Sequence, residues 1–394
     1  MDKDIKNMDS IVEITKKISK DPRKDILNLC LGYYRSEENQ DTGFSVINNL
    51  LTPTFDKSEI KLSVLGDISF RNNIVSLLRR YMLDSDHYMS AIQSLGGSGG
   101  LWLCFKTLYQ SNLQTVWYSE PGWDNHGKIA NNVGMRSKTY NYIINNIGQI
   151  ESENILSDLE DISESDILVL HGCCHNPCGV DLDETSLKNI AKLSIRKKFY
   201  IVVDLAYWGI KNGLKEDLYI LSVLSKYLDQ FYVVISLSKN MGLYNERLGA
   251  LILFSKNKNR LSIFENNIKS VIRTTYSMPP SLIAQCVAKV FNNKDLFNKW
   301  NKELINLSNT LKLRRRELIN KLKELNIEYV LKIKNNSGMF MNFNLYKDEI
   351  ELLAEKHGIY ILYNGRASIA SLQLKDIDRL VYAISDCIRD RNFN

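Results

Sequence analysis

The 394-residue chain has only six prolines and no stretch in which proline, glycine and serine accumulate as a linker. Long disordered segments and collagen-like repeats are thereby excluded. Its seven cysteines are an odd number in so long a chain, which fits free thiols in a reducing compartment better than a disulfide framework. No stretch approaches the ~18 uninterrupted apolar residues that a membrane helix requires. The first residues, Met1-Asp2-Lys3-Asp4-Ile5-Lys6, are polar where a signal peptide carries an apolar core. The expectation is a soluble, cytoplasmic protein with no membrane contact. Charge of one sign is also scarce: 51 Lys and Arg against 45 Asp and Glu leave +6, too little to imply a nucleic-acid partner. No internal repeat is visible.

What is present is a globular composition, 44% hydrophobic and 24% charged, long enough for two or three lobes at roughly 150 residues each. Ile11, Val12, Ile14 and Ile18 predict a short amphipathic helix from Met8 to Lys20, ended by Asp21-Pro22 and packed as an arm. Between Ala91 and Phe254, apolar runs alternate with helix-like stretches: Thr115 to Tyr118, Ile167 to Leu170, Tyr200 to Val203, Phe231 to Ile235 and Ala250 to Phe254. Runs apolar on both faces and bounded by polar turns predict an α/β lobe with a buried, mostly parallel sheet. After Pro279-Pro280, Trp300, Leu304, Leu307, Leu311, Leu318, Leu322 and Leu325 recur at helical spacing and predict a long helix leading into a second lobe. That lobe, from Asn326 onward, reads as a smaller α+β domain. Arg314-Arg315-Arg316, inside the helix, reads as a solvated face.

Four motifs carry chemistry. Gly96-Gly97-Ser98-Gly99-Gly100 precedes a helix start, where exposed amides make an anion cradle suited to a phosphate. The same residues satisfy G-x-S-x-G, a pattern that matches often by chance, while neither G-x-x-x-x-G-K-[ST] nor G-x-G-x-x-G occurs. His171-Gly-Cys-Cys-His-Asn-Pro-Cys-Gly179 concentrates metal-ligand types, but no second ligand pair follows, so Asn176-Pro177 reads as a ligand-bearing turn after a strand and no metal is expected. Asp204 ends another strand, either as a helix cap or as a partner that keeps a ring nitrogen protonated. Ser236-Leu-Ser-Lys239 fits S-x-x-K, yet K-T-G and S-D-N are missing. Lys239, with Arg247 eight residues on, is a candidate Schiff-base amine, against the commoner reading of a solvated loop lysine.

In their order these segments resemble the aspartate and aromatic aminotransferases, pyridoxal-phosphate enzymes of fold type I. The carrying segments are His171 to Gly179, Val203-Asp-Leu-Ala-Tyr-Trp-Gly209, Ser236-Leu-Ser-Lys-Asn-Met-Gly-Leu-Tyr-Asn-Glu-Arg-Leu-Gly249 and Asn364-Gly-Arg-Ala-Ser-Ile-Ala-Ser371. Asn28-Leu-Cys-Leu-Gly-Tyr-Tyr-Arg35, Trp123-Asp-Asn-His126 and Ile272-Arg-Thr-Thr-Tyr-Ser-Met-Pro-Pro280 extend the similarity over nearly the whole chain. The resemblance implies a mixed, mostly parallel seven-stranded sheet in a large domain and a smaller α+β domain. The expected division is 1–42 for the arm and part of the small domain, 43–305 for the large cofactor-binding domain and 306–394 for the small domain.

It also implies roles. Lys239 would bond the cofactor and then shuttle the substrate proton, Asp204 would pair with the pyridinium nitrogen, and Tyr207 and Asn176 would hydrogen-bond the phenolic oxygen. Trp123 would stack on the ring and His126 would support Asp204. Gly97, Ser98, Ser236, Ser238 and Arg247 would cup the phosphate, with Lys61 reaching the partner subunit's cofactor where a tyrosine is usual. Arg366 would clamp the substrate α-carboxylate and Arg273 a side-chain carboxylate across a homodimer interface with shared active sites, while Gly32 would lie in a mobile flap. Aspartate or glutamate with 2-oxoglutarate or oxaloacetate are then the expected substrates. Gly96, Cys178, Trp208 and Met278 depart from the common serine, threonine, glutamine and asparagine. Rival expectations are aromatic amino donors, another pyridoxal-phosphate reaction such as decarboxylation or β-elimination, and a regulator that has lost catalysis.

Overall fold

The apolar runs between residues 88 and 255 form one seven-stranded sheet: β1 (Tyr88–Leu95), β2 (Thr115–Glu120), β3 (Arg136–Asn141), β4 (Asp166–His171), β5 (Tyr200–Leu205), β6 (Gln230–Ser236) and β7 (Leu248–Ser255). This is a computed structural model that describes residues 10–37, 44–51, 63–82, 85–145, 148–327, 330–331 and 336–388. The strand order is β1-β7-β6-β5-β4-β2-β3. β7 runs antiparallel to both neighbours, and the other pairs are parallel. The mostly parallel α/β fold expected from the sequence is what the chain adopts. All eight residues of β7 are buried, which is why the central strands read as unbroken apolar runs. β3 reads otherwise: its sequence, Arg-Ser-Lys-Thr-Tyr-Asn, is mostly exposed at the sheet edge, where charge guards unpaired backbone.

Two units make up the chain. The larger comprises Phe44–Asn176 and Val180–Ser308 and contains the sheet. Its core packs Ile92, Val116, Ile167, Val202, Val234 and Leu251 of the strands against Leu101, Cys104, Phe105 and Leu108 of the helix Gly96–Tyr109. Phe264, Ile268, Val271 and Ile272 of the helix Lys258–Thr275 close the same core. Both helices bury one stripe at i, i+3/i+4, i+7 spacing. Truncating such a side chain, Phe105 for example, costs about 3–5 kcal/mol.

The smaller unit comprises Met1–Gly43, Pro177–Gly179 and Asn309–Asn394. Leu27–Asn28 pairs in parallel with Ile359–Tyr360, and Phe340–Asn342 pairs antiparallel with Arg366–Ser368. Ile14 of the helix Ser10–Lys20 packs with Cys30, Tyr360 and Leu362. The 31-residue helix Lys294–Glu324 belongs to the larger unit up to Ser308 and to the smaller from Asn309. Trp300, Leu304, Leu307, Leu311, Leu318 and Leu322 are buried as its periodicity predicts, whereas Leu325 lies beyond its end and is exposed.

The arginine run in that helix corrects the sequence reading. Arg314 is fully buried and Arg315 nearly so; only Arg316 stands in solvent, beside Glu317. Arg314 donates from Nε to Glu37 (2.7 Å), from Nη1 to the carbonyls of Ile369 (3.3 Å) and Ala370 (2.8 Å), and from Nη2 to that of Arg35. Arg315 donates to Asn336 Oδ1 (2.9 Å) and to the carbonyls of Gly338 (2.8 Å) and Phe340 (3.2 Å). The fork geometry of a guanidinium satisfies several converging carbonyls at once, which makes burial tolerable. A signal was present: 314 lies three residues after Leu311 and four before Leu318, on the buried stripe.

Candidate active site

The parallel strands deliver their C-terminal ends to one edge of the sheet, where open α/β sheets bind ligands. Since β7 is antiparallel, its beginning lies at the same edge, with Leu248 opposite Leu95 and Gly249 opposite Ser236. A cavity opens there within the larger unit. Gly97 and Ser98 follow β1, Trp123 follows β2, and Asn176 follows β4. Asp204 and Tyr207 come from the end of β5, Ser236, Ser238 and Lys239 from the end of β6, and Arg247 from just before β7. Ten of the predicted residues thus share one cavity wall.

One side of the wall is built for an anion. The helix Gly96–Tyr109 begins there with no side-chain cap on its first amides. Arg247 donates from Nη1 to Ser238 Oγ (3.1 Å) and the Tyr244 carbonyl (2.9 Å). Gly96 adopts φ +69°, and a Cβ there would lie 2.5 Å from Arg247 Nη2, so glycine at this position has a steric reason. A Cβ on Gly249 would fall 2.6 Å from the Ile235 carbonyl oxygen and 2.7 Å from the Gly96 carbonyl carbon. The two glycines let helix start and strand approach this closely.

Asp204, 5% exposed, receives a hydrogen bond at Oδ2 from His126 Nε2 (3.0 Å), which places that proton on Nε2; Oδ1 has no hydrogen-bond partner among the described residues. Burial pushes its carboxyl up, but the hydrogen bond from His126, with Lys239 nearby, outweighs this and holds it below the usual range. Asp204 is therefore a carboxylate with a spare buried acceptor, an arrangement that fits a donor brought by a ligand. Lys239 Nζ lies 5.5 Å from the centre of the Tyr207 ring. An anion cradle, an amine and a buried carboxylate with an open acceptor are the donor set that pyridoxal phosphate requires, so the residues present fit it.

His171 also lines the cavity, a role its reading as a metal-ligand type did not capture. Burial, then the neighbouring His126 ring 5.1 Å away, pushes its pKa down to about 3. It is neutral at physiological pH, and its Nε2 has no hydrogen-bond partner. The signal was positional, since His171 is the last residue of β4 and pairs in register with Asp204.

Other expected residues lie elsewhere. Arg273, on the helix Lys258–Thr275, is exposed and donates to Ser277 Oγ (2.8 Å). Arg366 belongs to the smaller unit, where its Nη2 donates to the Cys30 carbonyl (3.1 Å) and its guanidinium sits 4.3 Å from the Phe340 ring centre. Gly32 lies against that same ring, which a Cβ would strike at 2.5 Å. Lys61 lies outside the described residues. Of the departures, Trp208 is fully buried with its indole donating to the Leu214 carbonyl (2.7 Å), Cys178 is buried, and the amide of Met278 donates to the Tyr276 carbonyl (2.7 Å).

Comparison with known proteins identifies the family. Residues 24–384 match the family described as aminotransferase class I and II. An aspartate aminotransferase of Haemophilus influenzae is 33% identical over 384 residues, 95% of this chain and 96% of that protein. The aromatic-amino-acid aminotransferase of Escherichia coli is 28% identical, covering 96% of this chain and 97% of the other. Among solved structures, the aromatic-amino-acid aminotransferase of Burkholderia pseudomallei, covalently bound to pyridoxal phosphate, superposes with a TM-score of 0.89 at 25% identity and 98% of each chain. The chain belongs to the class I and II aminotransferases and is a pyridoxal-phosphate-dependent transaminase.

Proposed function

We propose that the enzyme exchanges the amino group between L-aspartate or L-glutamate and 2-oxoglutarate or oxaloacetate in two half-reactions. The observation that carries this reading is the meeting of Lys239, Asp204 and the Gly97–Ser98 and Arg247 anion cradle around one cavity. Bound pyridoxal phosphate supplies a carbon that condenses with amines and a ring that withdraws electrons. The Lys239 amine would hold the cofactor, and it is the base placed to take the proton from the substrate α-carbon. Asp204, kept ionised by His126, would accept a hydrogen bond from the cofactor's ring nitrogen. Tyr207, Asn176 and Trp123 would hold its ring, and Ser236, Ser238 and Arg247 with the helix amides would hold its phosphate.

Substrate choice follows from guanidinium chemistry. Arg366 holds the α-carboxylate, and the exposed Arg273 of one subunit serves the site of a second subunit in a homodimer. Two planar forks suit two carboxylates. Gly32 belongs to the segment that covers bound substrate. A second reading, with aromatic amino donors, has support in the aromatic-amino-acid aminotransferases among the relatives. Steady-state rates on L-aspartate and L-phenylalanine with 2-oxoglutarate separate the two. The proposal expects aspartate to be preferred and Arg273→Ala to erase that preference; a phenylalanine preference that Arg273→Ala leaves alone contradicts it.

A further inference from the structure

We infer that Asn240, the residue after Lys239, is a positioning residue that locks the lysine-bearing turn to the tyrosine-bearing turn, an inference that rests on the roles given above to Lys239 and Tyr207. Asn240 is fully buried. Its Nδ2 donates to the carbonyl of Trp208 (3.0 Å), and its own carbonyl accepts from Trp300 Nε1 (2.8 Å). Trp208 directly follows Tyr207, so one side-chain hydrogen bond crosslinks the segment after β5 to the segment after β6. Both indoles are anchored in turn: Trp208 and Trp300 are fully buried, and Trp208 Nε1 donates to the Leu214 carbonyl (2.7 Å).

The turn is held on the other side of the lysine as well. Ser238 Oγ accepts from Arg247, and the Ser238 amide donates to Ser236 Oγ (3.3 Å). Lys239 therefore has a tethered residue on each side. A four-carbon side chain adds its own freedom, so the reach of its amine is only as defined as its backbone. The Trp208 carbonyl settles which end of the Asn240 amide is the donor, and Asn240 Oδ1 is left buried without a hydrogen-bond partner among the described residues. A leftover buried acceptor weakens the fold relative to an apolar residue of the same shape. Stability alone therefore does not account for asparagine here, whereas a fixed distance between the Lys239 and Tyr207 backbones does. A displacement of about 1 Å at a reacting group costs on the order of 10²-fold in rate.

The test compares Asn240→Ala and Trp300→Phe holoenzymes with the parent. It measures the pH midpoint of the bound cofactor's visible band, the single-turnover rate with L-aspartate, and KM. The expected result for Asn240→Ala is a midpoint moved by about half a unit or more and a rate lowered about tenfold to a hundredfold, with KM little changed. Trp300→Phe, which keeps an aromatic ring in place, should move both in the same direction by less, and it decides the matter if Asn240→Ala does not fold. Parental midpoints and rates in the folded variants, whatever the loss in melting temperature, would overturn the inference. Lys239→Ala, run alongside, separates the two levels: covalent cofactor uptake by that variant sinks the lysine assignment, whereas unchanged Asn240 and Trp300 variants sink the clamp alone.

Discussion

Two buried polar regions of this enzyme treat hydrogen bonds in opposite ways. In the smaller unit, the guanidinium of Arg314 engages Glu37 and three backbone carbonyls through all three of its nitrogens. In the larger unit, Asp204 Oδ1, His126 Nδ1 and His171 Nε2 are buried together without hydrogen-bond partners. Burying a polar group costs about 1–3 kcal/mol unless a partner is supplied. A polar cluster that completes its own bonds is scaffold, and one that leaves them open is organised for a ligand.

Breaking the ligand cavity should remove chemistry while sparing the fold. Lys239→Ala is expected to lower kcat by about 10⁴-fold or more, because one amine serves as both nucleophile and base; a coupled assay for oxo-acid formation measures it. Breaking the complete cluster should do the reverse. Arg314→Met leaves three carbonyls and a carboxylate short of their donor and should destabilise the protein by about 3–5 kcal/mol in urea unfolding. Arg316→Met, at an exposed position on the same helix, should stay within about 0.5 kcal/mol.

Two smaller effects sharpen the contrast. Asp204→Asn should reduce the half-reaction rate about 10²-fold, with the melting temperature of the cofactor-free protein close to that of the parent. A large loss of that stability would make Asp204 part of the scaffold. The second concerns pH. His171 titrates at 6.5 when unfolded and about 3 when folded, so the unfolded state binds the extra proton between these values. Its contribution to stability is complete above pH 6.5 and is lost as pH falls toward 3, by about 1.4 kcal/mol per unit. Denaturation midpoints across pH 4–7 should fall more steeply toward the acid end for the parent than for His171→Phe.

Much of this was legible before folding, for identifiable reasons. Lys239, Asp204 and Asn176 each follow a run of buried apolar residues, so a polar residue there reads as a strand-end ligand. The edge strand β3 escaped notice because its exposed Lys and Arg carry no hydrophobic period. Arg314 and Arg315 escaped because burial of a guanidinium depends on carbonyls from residues 35, 338 and 369–370, far away in sequence. The allocation of Pro177–Gly179 to the smaller unit is likewise set by distant contacts, the Gly179 carbonyl accepting from the amide and hydroxyl of Ser337. Gly96, a departure from the serine usual in similar proteins, has its explanation only in three dimensions, in its left-handed backbone and the nearby Arg247.

The most direct test of the account is the visible absorbance of the purified holoenzyme as L-aspartate and then 2-oxoglutarate are added. The account predicts that the cofactor band collapses with aspartate and returns with 2-oxoglutarate, one half-reaction after the other. A band that ignores aspartate yet collapses with phenylalanine would contradict the dicarboxylate assignment, and a protein that shows no band after reconstitution would contradict the cofactor site itself.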